Sequence, residues 1–160
     1  MHQRVRQFRE ASVRPSAADY ALALESLAPP LLALFKAQHE RDIVHSARTA
    51  RWLIDRGHGD ASLIAAALLH DVGRGGSMLR DRVAYVAAGW LRADSRLGAQ
   101  ASRFELRRAV ERSRTHCETG AAMLVQANAP ERVVDLVRRH HSTAAGDVML
   151  ALLQQADAAS

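Results

Sequence analysis

One stretch of the sequence constrains the fold more than any other. It is an apolar helical segment followed directly by a histidine and an aspartate. Residues 65–69 read Ala-Ala-Ala-Leu-Leu, His70 and Asp71 follow, and Gly73 comes two residues later. Burying an imidazole and a carboxylate without partners costs several kilocalories per mole. A divalent cation would partner both groups. The stretch therefore predicts a buried helix that ends at a polar, metal-type site.

The composition is that of a single globular domain. The chain has 160 residues, of which 48% are hydrophobic, 24% charged and only 4% aromatic, so Ala, Leu, Val and Ile must build the core. One cysteine, Cys117, excludes an intramolecular disulfide framework and suits a reducing compartment. Neither a membrane-length apolar run nor a secretory signal is visible. These features predict a cytoplasmic protein that does not bind membranes.

The net charge of +5 comes almost entirely from arginine. A basic surface can attract nucleic acid or phosphorylated small molecules. We favour a solvated helix face over a phosphate-attracting surface for the main basic run, and no aromatic residues interleave with it. Nucleic acid is therefore an unlikely partner. The run consists of Arg103, Arg107, Arg108, Arg112 and Arg114.

Apolar residues recur at helical spacing along most of the chain, and no strand-like alternation is found. An all-α domain over residues 16–160 is predicted, after a loose lead-in at residues 1–15. Helices are predicted at 16–27, 31–38, 42–56, 60–70, 79–92, from about 102, and at 115–126, 130–141 and 147–158.

Several helix starts carry local signals. Ser16 or Asp19, Asp60 and Asp147 are predicted caps. Thr115 with Glu118 reads as a capping box, and we therefore interpret Glu118 as a capping residue and not as a catalytic acid.

Three apolar stripes end in polar residues of the kind that bind metals. Residues seven apart lie on nearly the same helix face, and this spacing joins Leu63 to His70, Val133 to His140 and Leu150 to Asp157. If the stripes face one core, their ends converge. Imidazole and carboxylate donors together suit Fe, Mn, Zn, Ni or Co. The candidate ligands are His45, His70, Asp71, His116, His140, His141 and Asp157, whereas His2, His39 and His58 are interpreted as surface residues.

The order His45, then His70-Asp71 in LLHDVGR, then Asp157 in QQADAAS resembles the H…HD…D signature of the HD-domain metal-dependent phosphohydrolases. The resemblance covers roughly residues 30–160 and implies an HD-type bundle of about seven to nine helices. The stretches THCETGAAML and VRRHHSTAAGD resemble histidine segments of branches of that family that hold two metals.

The resemblance implies one or two divalent transition metals. His45, His70, Asp71 and Asp157 would hold the first. The second would be held by His116 and by one or both of His140 and His141, with Asp71 as a bridging, catalytic residue.

Several positions depart from the family pattern. Arg74 stands where a lysine often follows the HD step, and it keeps a positive charge for a phosphate. The Gly-Tyr-Pro motif of the cyclic di-GMP branch is absent and Ser142 replaces its Glu, which disfavours that substrate. Asp157 lies close to the end of the sequence, where a helix frays. Residues 75–114 form a long segment that could act as a lid or a substrate-selecting insert.

The function implied is hydrolysis of a phosphoester or phosphoanhydride by a metal-activated water, with a nucleotide as the likeliest substrate class. Arg74 is the predicted catalytic phosphate clamp, and Arg80 and Arg82 are weaker substrate-binding candidates. Exposed apolar residues within 79–98 could pair two chains as a homodimer. Three alternatives stay open: a non-catalytic HD module that binds a nucleotide or a protein partner, a di-iron oxygenase, and a helical nucleic-acid-binding protein.

Overall fold

The computed structural model describes residues 14–74 and 105–160, with side chains from Thr115 onward in the second range. Within these ranges all regular structure is helical, which confirms the all-α prediction. No described helix has the length and apolar character needed to cross a membrane. The helices are α1 (Ala17–Ser26), α2 (Pro29–Lys36), α3 (Glu40–Asp55), α4 (Ala61–Leu69), α5 (Glu105–Gln126), α6 (Glu131–Arg139) and α7 (Val148–Ala159), and a 3₁₀ turn spans Val72–Arg74.

The predicted caps at three helix starts are confirmed. Ser16 and Asp19 form a capping box on α1, since each side chain accepts a hydrogen bond from the backbone N–H of the other. Asp60 accepts from two backbone N–H groups of α4, and Asp147 accepts from one of α7. Helix α3 begins earlier than predicted, because the side chain of His39 caps it.

The prediction of a separate helix beginning at Thr115 is wrong. Helix α5 runs without a break from Glu105 to Gln126, so Thr115 lies inside it and does not cap it. Glu118 is likewise no capping residue: its side chain is exposed and lies 3.4 Å from the Nε atom of Arg138 on α6. A Ser/Thr-x-x-Glu pattern caps a helix only where the preceding backbone is non-helical, and here the helix is already established.

Helix α4 is the centre of the fold. All residues from Leu63 to Leu69 are buried, and the helix contacts α3, α6 and α7. A helix that is apolar on all sides must be surrounded by other elements. The end of α4 is therefore deep in the protein, and this is where His70 and Asp71 follow.

The 3₁₀ turn packs its backbone directly on α5. A Cβ atom added at Gly73 would lie 2.0 Å from the carbonyl oxygen of His116 and 2.6 Å from the backbone nitrogen of Gly120. Only glycine allows such a close approach. This contact places the turn that follows Asp71 directly beside His116.

Helices α6 and α7 are joined at their loop by an ion-pair network. Asp147 accepts hydrogen bonds from Arg132 at 2.5 and 2.9 Å, and from Arg139 at 3.3 Å. The amide of Gln154 on α7 donates to the carbonyl oxygen of His140 at 3.1 Å. These bonds fix the end of α6 against α7 and thereby bring His140 towards Asp157.

Candidate metal centre

Two buried histidines occupy equivalent positions at the ends of two helices. His70 is the C-cap residue of α4, and His140 is the C-cap residue of α6. The Nδ1 atom of each lies near a backbone carbonyl oxygen three residues upstream, at 2.8 Å for Ala67 and 2.6 Å for Val137. Because a carbonyl oxygen only accepts, each Nδ1 carries a proton, and each Nε2 is the ring nitrogen directed at other candidate ligands. A backbone partner of this kind orients metal-binding imidazoles.

The first group of candidate ligands consists of His45, His70 and Asp157, each supplying one atom within 4.8 Å of the others. The Oδ1 atom of Asp157 lies 2.8 Å from the Nε2 of His45 and 3.4 Å from the Nε2 of His70. Burial alone would raise the pKa of Asp157, but the hydrogen bond with His45 and the nearby imidazole of His70 lower it strongly. The carboxylate is therefore charged and ready to bind a cation.

The second group consists of His116, Cys117, His140 and His141, again with one atom from each residue within 4.8 Å of the others. The Nε2 atoms of His116 and His140 are 3.4 Å apart, and the ring centroids of His140 and His141 are 4.1 Å apart. Burial, with a smaller effect from His70, lowers the pKa of His140 to about 3. Burial also lowers the pKa of His141. Both imidazoles are thus neutral at pH 7, the form that binds metals.

Asp71 lies between the two groups. Its Oδ2 atom is 3.6 Å from the Nε2 of His70 and 2.6 Å from a guanidinium nitrogen of Arg74. Its Oδ1 atom is 3.7 Å from the Nε2 of His116 and 3.9 Å from the Nε2 of His140. One carboxylate therefore faces both sets of imidazoles, which is the geometry that a bridging ligand needs.

The donor set fits a cation for an independent reason. The Nε2 of His70 and the Oδ1 of Asp71 are buried atoms that have no hydrogen-bond partner in the described residues. Both side chains are 1% exposed. Buried polar atoms without partners are rare and costly in native proteins. Their position among imidazoles and carboxylates is what a divalent metal would account for.

All seven predicted ligand residues lie in the two groups or, in the case of Asp71, between them. His39 is exposed and His58 half-buried, and neither belongs to a group. Arg74, the predicted phosphate clamp, donates a hydrogen bond to Asp71. The other substrate-binding candidates, Arg80 and Arg82, lie outside the described residues, as do the predicted helix at 79–92 and most of the segment 75–114.

Sequence reasoning missed two residues near the site. Cys117 follows His116 directly in the sequence, and this adjacency is the signal that could have found it. Asp42, at the start of the predicted helix 42–56, lies one turn before His45 on α3. Burial, with a smaller effect from Asp71, raises the pKa of Asp42.

Comparison with known proteins gives one match. The model of the HD domain family matches residues 42–159, which include all seven candidate ligands. No curated protein and no solved structure matches the chain.

Proposed function

The chain belongs to the HD domain family, and on that basis we propose that it is a metal-dependent phosphohydrolase acting on a nucleotide or a related phosphoester or phosphoanhydride. HD domains bind divalent metals, and most members of the family are hydrolases. The proposal gains its main support from one observation: two buried ligand atoms, on His70 and Asp71, have no hydrogen-bond partner among the described residues and face a cluster of imidazoles.

We assign the ligands by group. His45, His70 and Asp157 hold one cation, His116, His140 and His141 hold a second, and Asp71 bridges them. The donors suit Fe, Mn, Zn, Ni or Co. A bound divalent cation supplies an activated water and stabilises negative charge on a phosphoryl group.

The protein's own residues hold the metal-binding rings in place and offer a guanidinium to the substrate. The backbone carbonyls of Ala67 and Val137 hold the rings of His70 and His140, so the Nε2 atoms keep their direction when a substrate arrives. Arg74 has a side chain that is 45% exposed. It can turn its guanidinium from Asp71 to a phosphate oxygen and donate two parallel hydrogen bonds.

The first test is metal analysis of the full-length protein purified without chelator, followed by a phosphate-release screen with added Mn²⁺ over mononucleotides, dinucleoside polyphosphates and simple phosphoesters. We expect one to two transition-metal equivalents per chain and release from one substrate class. Metal retention without release from any substrate would favour the non-catalytic HD module. Absence of metal, both before and after addition, would overturn the proposal.

The variant that tests the ligand assignment is the double substitution His70→Ala with Asp71→Ala. It removes the bridging carboxylate and a buried imidazole, and we expect loss of bound metal and a fall in phosphate release of about 100-fold or more. Helical circular dichroism should be retained. His58→Ala, at the opposite end of α4, is the control and should keep both metal and activity.

A further inference from the structure

The thiol of Cys117 lies among the imidazoles of the second group. Its Sγ atom is 3.7 Å from the Nε2 of His116 and 3.9 Å from the Nε2 of His140. The residue is 3% exposed. Cys117 is also the single cysteine of the chain, so no other thiol competes for a metal.

These separations match the edges of a tetrahedral site. With Zn–N bonds of about 2.05 Å and Zn–S bonds of about 2.3 Å, tetrahedral angles place two ligand nitrogens roughly 3.3 Å apart and a nitrogen and a sulfur roughly 3.6 Å apart. The observed separations are 3.4 Å between the two Nε2 atoms, and 3.7 and 3.9 Å from these atoms to Sγ. Each observed separation is within a few tenths of an ångström of the tetrahedral value.

A second observation points to a cation at this position. The Oδ1 atom of Asp71 is directed at the Nε2 atoms of His116 and His140, at 3.7 and 3.9 Å. It is buried and unpartnered within the part of the chain that the structure describes. A carboxylate oxygen and a thiol therefore both lie beside the Nε2 atoms of His116 and His140.

One nitrogen of His140 is excluded as an acceptor for the Cys117 thiol. Sγ lies 3.5 Å from the Nδ1 of His140. That nitrogen already carries a proton, which it donates to the Val137 carbonyl oxygen at 2.6 Å. Nδ1 therefore has no lone pair to accept from the thiol.

We propose that Cys117 is a metal ligand and that its thiolate makes the second position selective for a cation such as zinc or cobalt. The first position, formed by the imidazoles of His45 and His70 and the carboxylate of Asp157, has no thiolate and therefore no such preference for zinc or cobalt. Thiolate ligands favour zinc over harder cations such as Mn²⁺ and Mg²⁺. This inference rests on the metal-binding part of the proposed function and not on the reaction.

The test is a titration of the full-length, metal-free protein with Co²⁺, followed by absorption spectroscopy. A cobalt–thiolate bond gives a charge-transfer band in the near ultraviolet that nitrogen and oxygen ligands do not give. We expect this band in the native protein and in His45→Ala, which alters only the first group. We expect it to disappear in Cys117→Ser, a nearly isosteric change that leaves the imidazoles in place.

Affinity gives a second readout. Cys117→Ser should bind zinc at least 10-fold more weakly in competition with a chelating dye, while Mn²⁺ affinity changes less than twofold. If Cys117→Ser fails to fold, as judged by circular dichroism, the cobalt spectrum of the native protein still decides. Absence of the band in the native protein, or equal zinc affinity in a folded Cys117→Ser protein, would overturn the inference. Phosphate release plays no part in either readout, so a failure here is distinguishable from a failure of the proposed hydrolase activity.

Discussion

Asp71 and Arg74 form the closest ion pair of the candidate site. Their 2.6 Å contact places a guanidinium on the same carboxylate that faces the imidazoles of both groups. The pair leaves the Oδ1 atom of Asp71 directed at His116 and His140. Arg74 thus neutralises part of a buried charge while its own side chain remains within reach of solvent and of a substrate.

Arg74→Ala tests the phosphate clamp. We expect KM for the phosphorylated substrate to rise about 10-fold, which corresponds to about 1.4 kcal/mol, with metal content unchanged. This is less than a fully buried charge-assisted hydrogen bond would give, because the side chain is 45% exposed. Steady-state kinetics and metal analysis are the measurements.

Arg138→Ala is the matched control, since Arg138 also has a side chain that is 45% exposed and pairs with a carboxylate, that of Glu118. It should leave KM unchanged. An equal rise in KM for both variants would mean that Arg74 acts only through general surface charge.

At the scale of elements, the site depends on one contact between the 3₁₀ turn and α5. Gly73 and Gly120 let the two backbones approach each other, and this approach sets the distance between Asp71 and His116. The sequence shows both glycines but not that they meet, because the contact joins residues far apart in the chain.

Gly73→Ala should separate these elements. The added Cβ would meet the His116 carbonyl at 2.0 Å, and backbone atoms cannot rotate away as side chains can. We expect a loss of about 3 kcal/mol in the free energy of unfolding, measured by urea denaturation, and weaker metal binding. Gly59→Ala is the control, because nothing lies within 4 Å of its added Cβ, and it should change stability by less than about 1 kcal/mol.

The ion-pair network at the start of α7 makes stability depend on pH. Hydrogen bonds from Arg132, more than any other effect, lower the pKa of Asp147 from 3.8 to about 2. A carboxyl whose pKa is lower in the folded state stabilises the fold above its unfolded pKa and loses this contribution as the pH falls through its folded pKa.

Asp147→Asn should therefore lower the free energy of unfolding by about 1–2 kcal/mol at pH 7. The difference from the native protein should persist down to about pH 5 and shrink between pH 4 and 2. Denaturation at several pH values measures it, with the exposed Asp55→Asn as control. A difference that stays constant down to pH 2 would contradict the role given to the Asp147 charge.

Helix starts could be predicted from the sequence where the capping contact is local. They could not be predicted where they depend on whether the preceding residues are already helical. Ser16, Asp60 and Asp147 cap helices as predicted, because each side chain bonds to backbone within three residues. Thr115 carries the same type of signal but lies inside α5. A short pattern cannot report that the helix began at Glu105.

At the scale of the whole molecule, apolar periodicity was sufficient to predict the all-α fold and the burial of α4. Stripe spacing predicted that the stripe ends with His70, His140 and Asp157 converge if the stripes share one core, and His70 lies beside both of the other residues. The division into two groups was implied by the family resemblance and not by spacing, whereas the position of Cys117 among the imidazoles and the direction of the Asp71 oxygens were not predictable. They depend on how α5, α6 and α7 pack against one another.

Metal removal should affect the stability of the whole molecule. If the cations bind the folded state only, at a concentration about 1,000 times Kd, each contributes about 4 kcal/mol. Chelation should then lower Tm by on the order of 10 °C for each cation removed, as measured by scanning calorimetry, and Zn²⁺ or Mn²⁺ should restore it. An unchanged Tm in a protein shown to have lost metal would contradict binding in the buried groups.

The matching ends of α4 and α6 bear on the order in which metals and substrate would bind. Both helices end at a buried histidine, so their carbonyl-bearing, partially negative termini point at the same place, with roughly half an elementary charge each. Asp71 and Asp157 add negative charge beside these termini. Under the proposed function, this charge would repel a phosphorylated substrate until cations bind, so we expect metal binding to precede substrate binding.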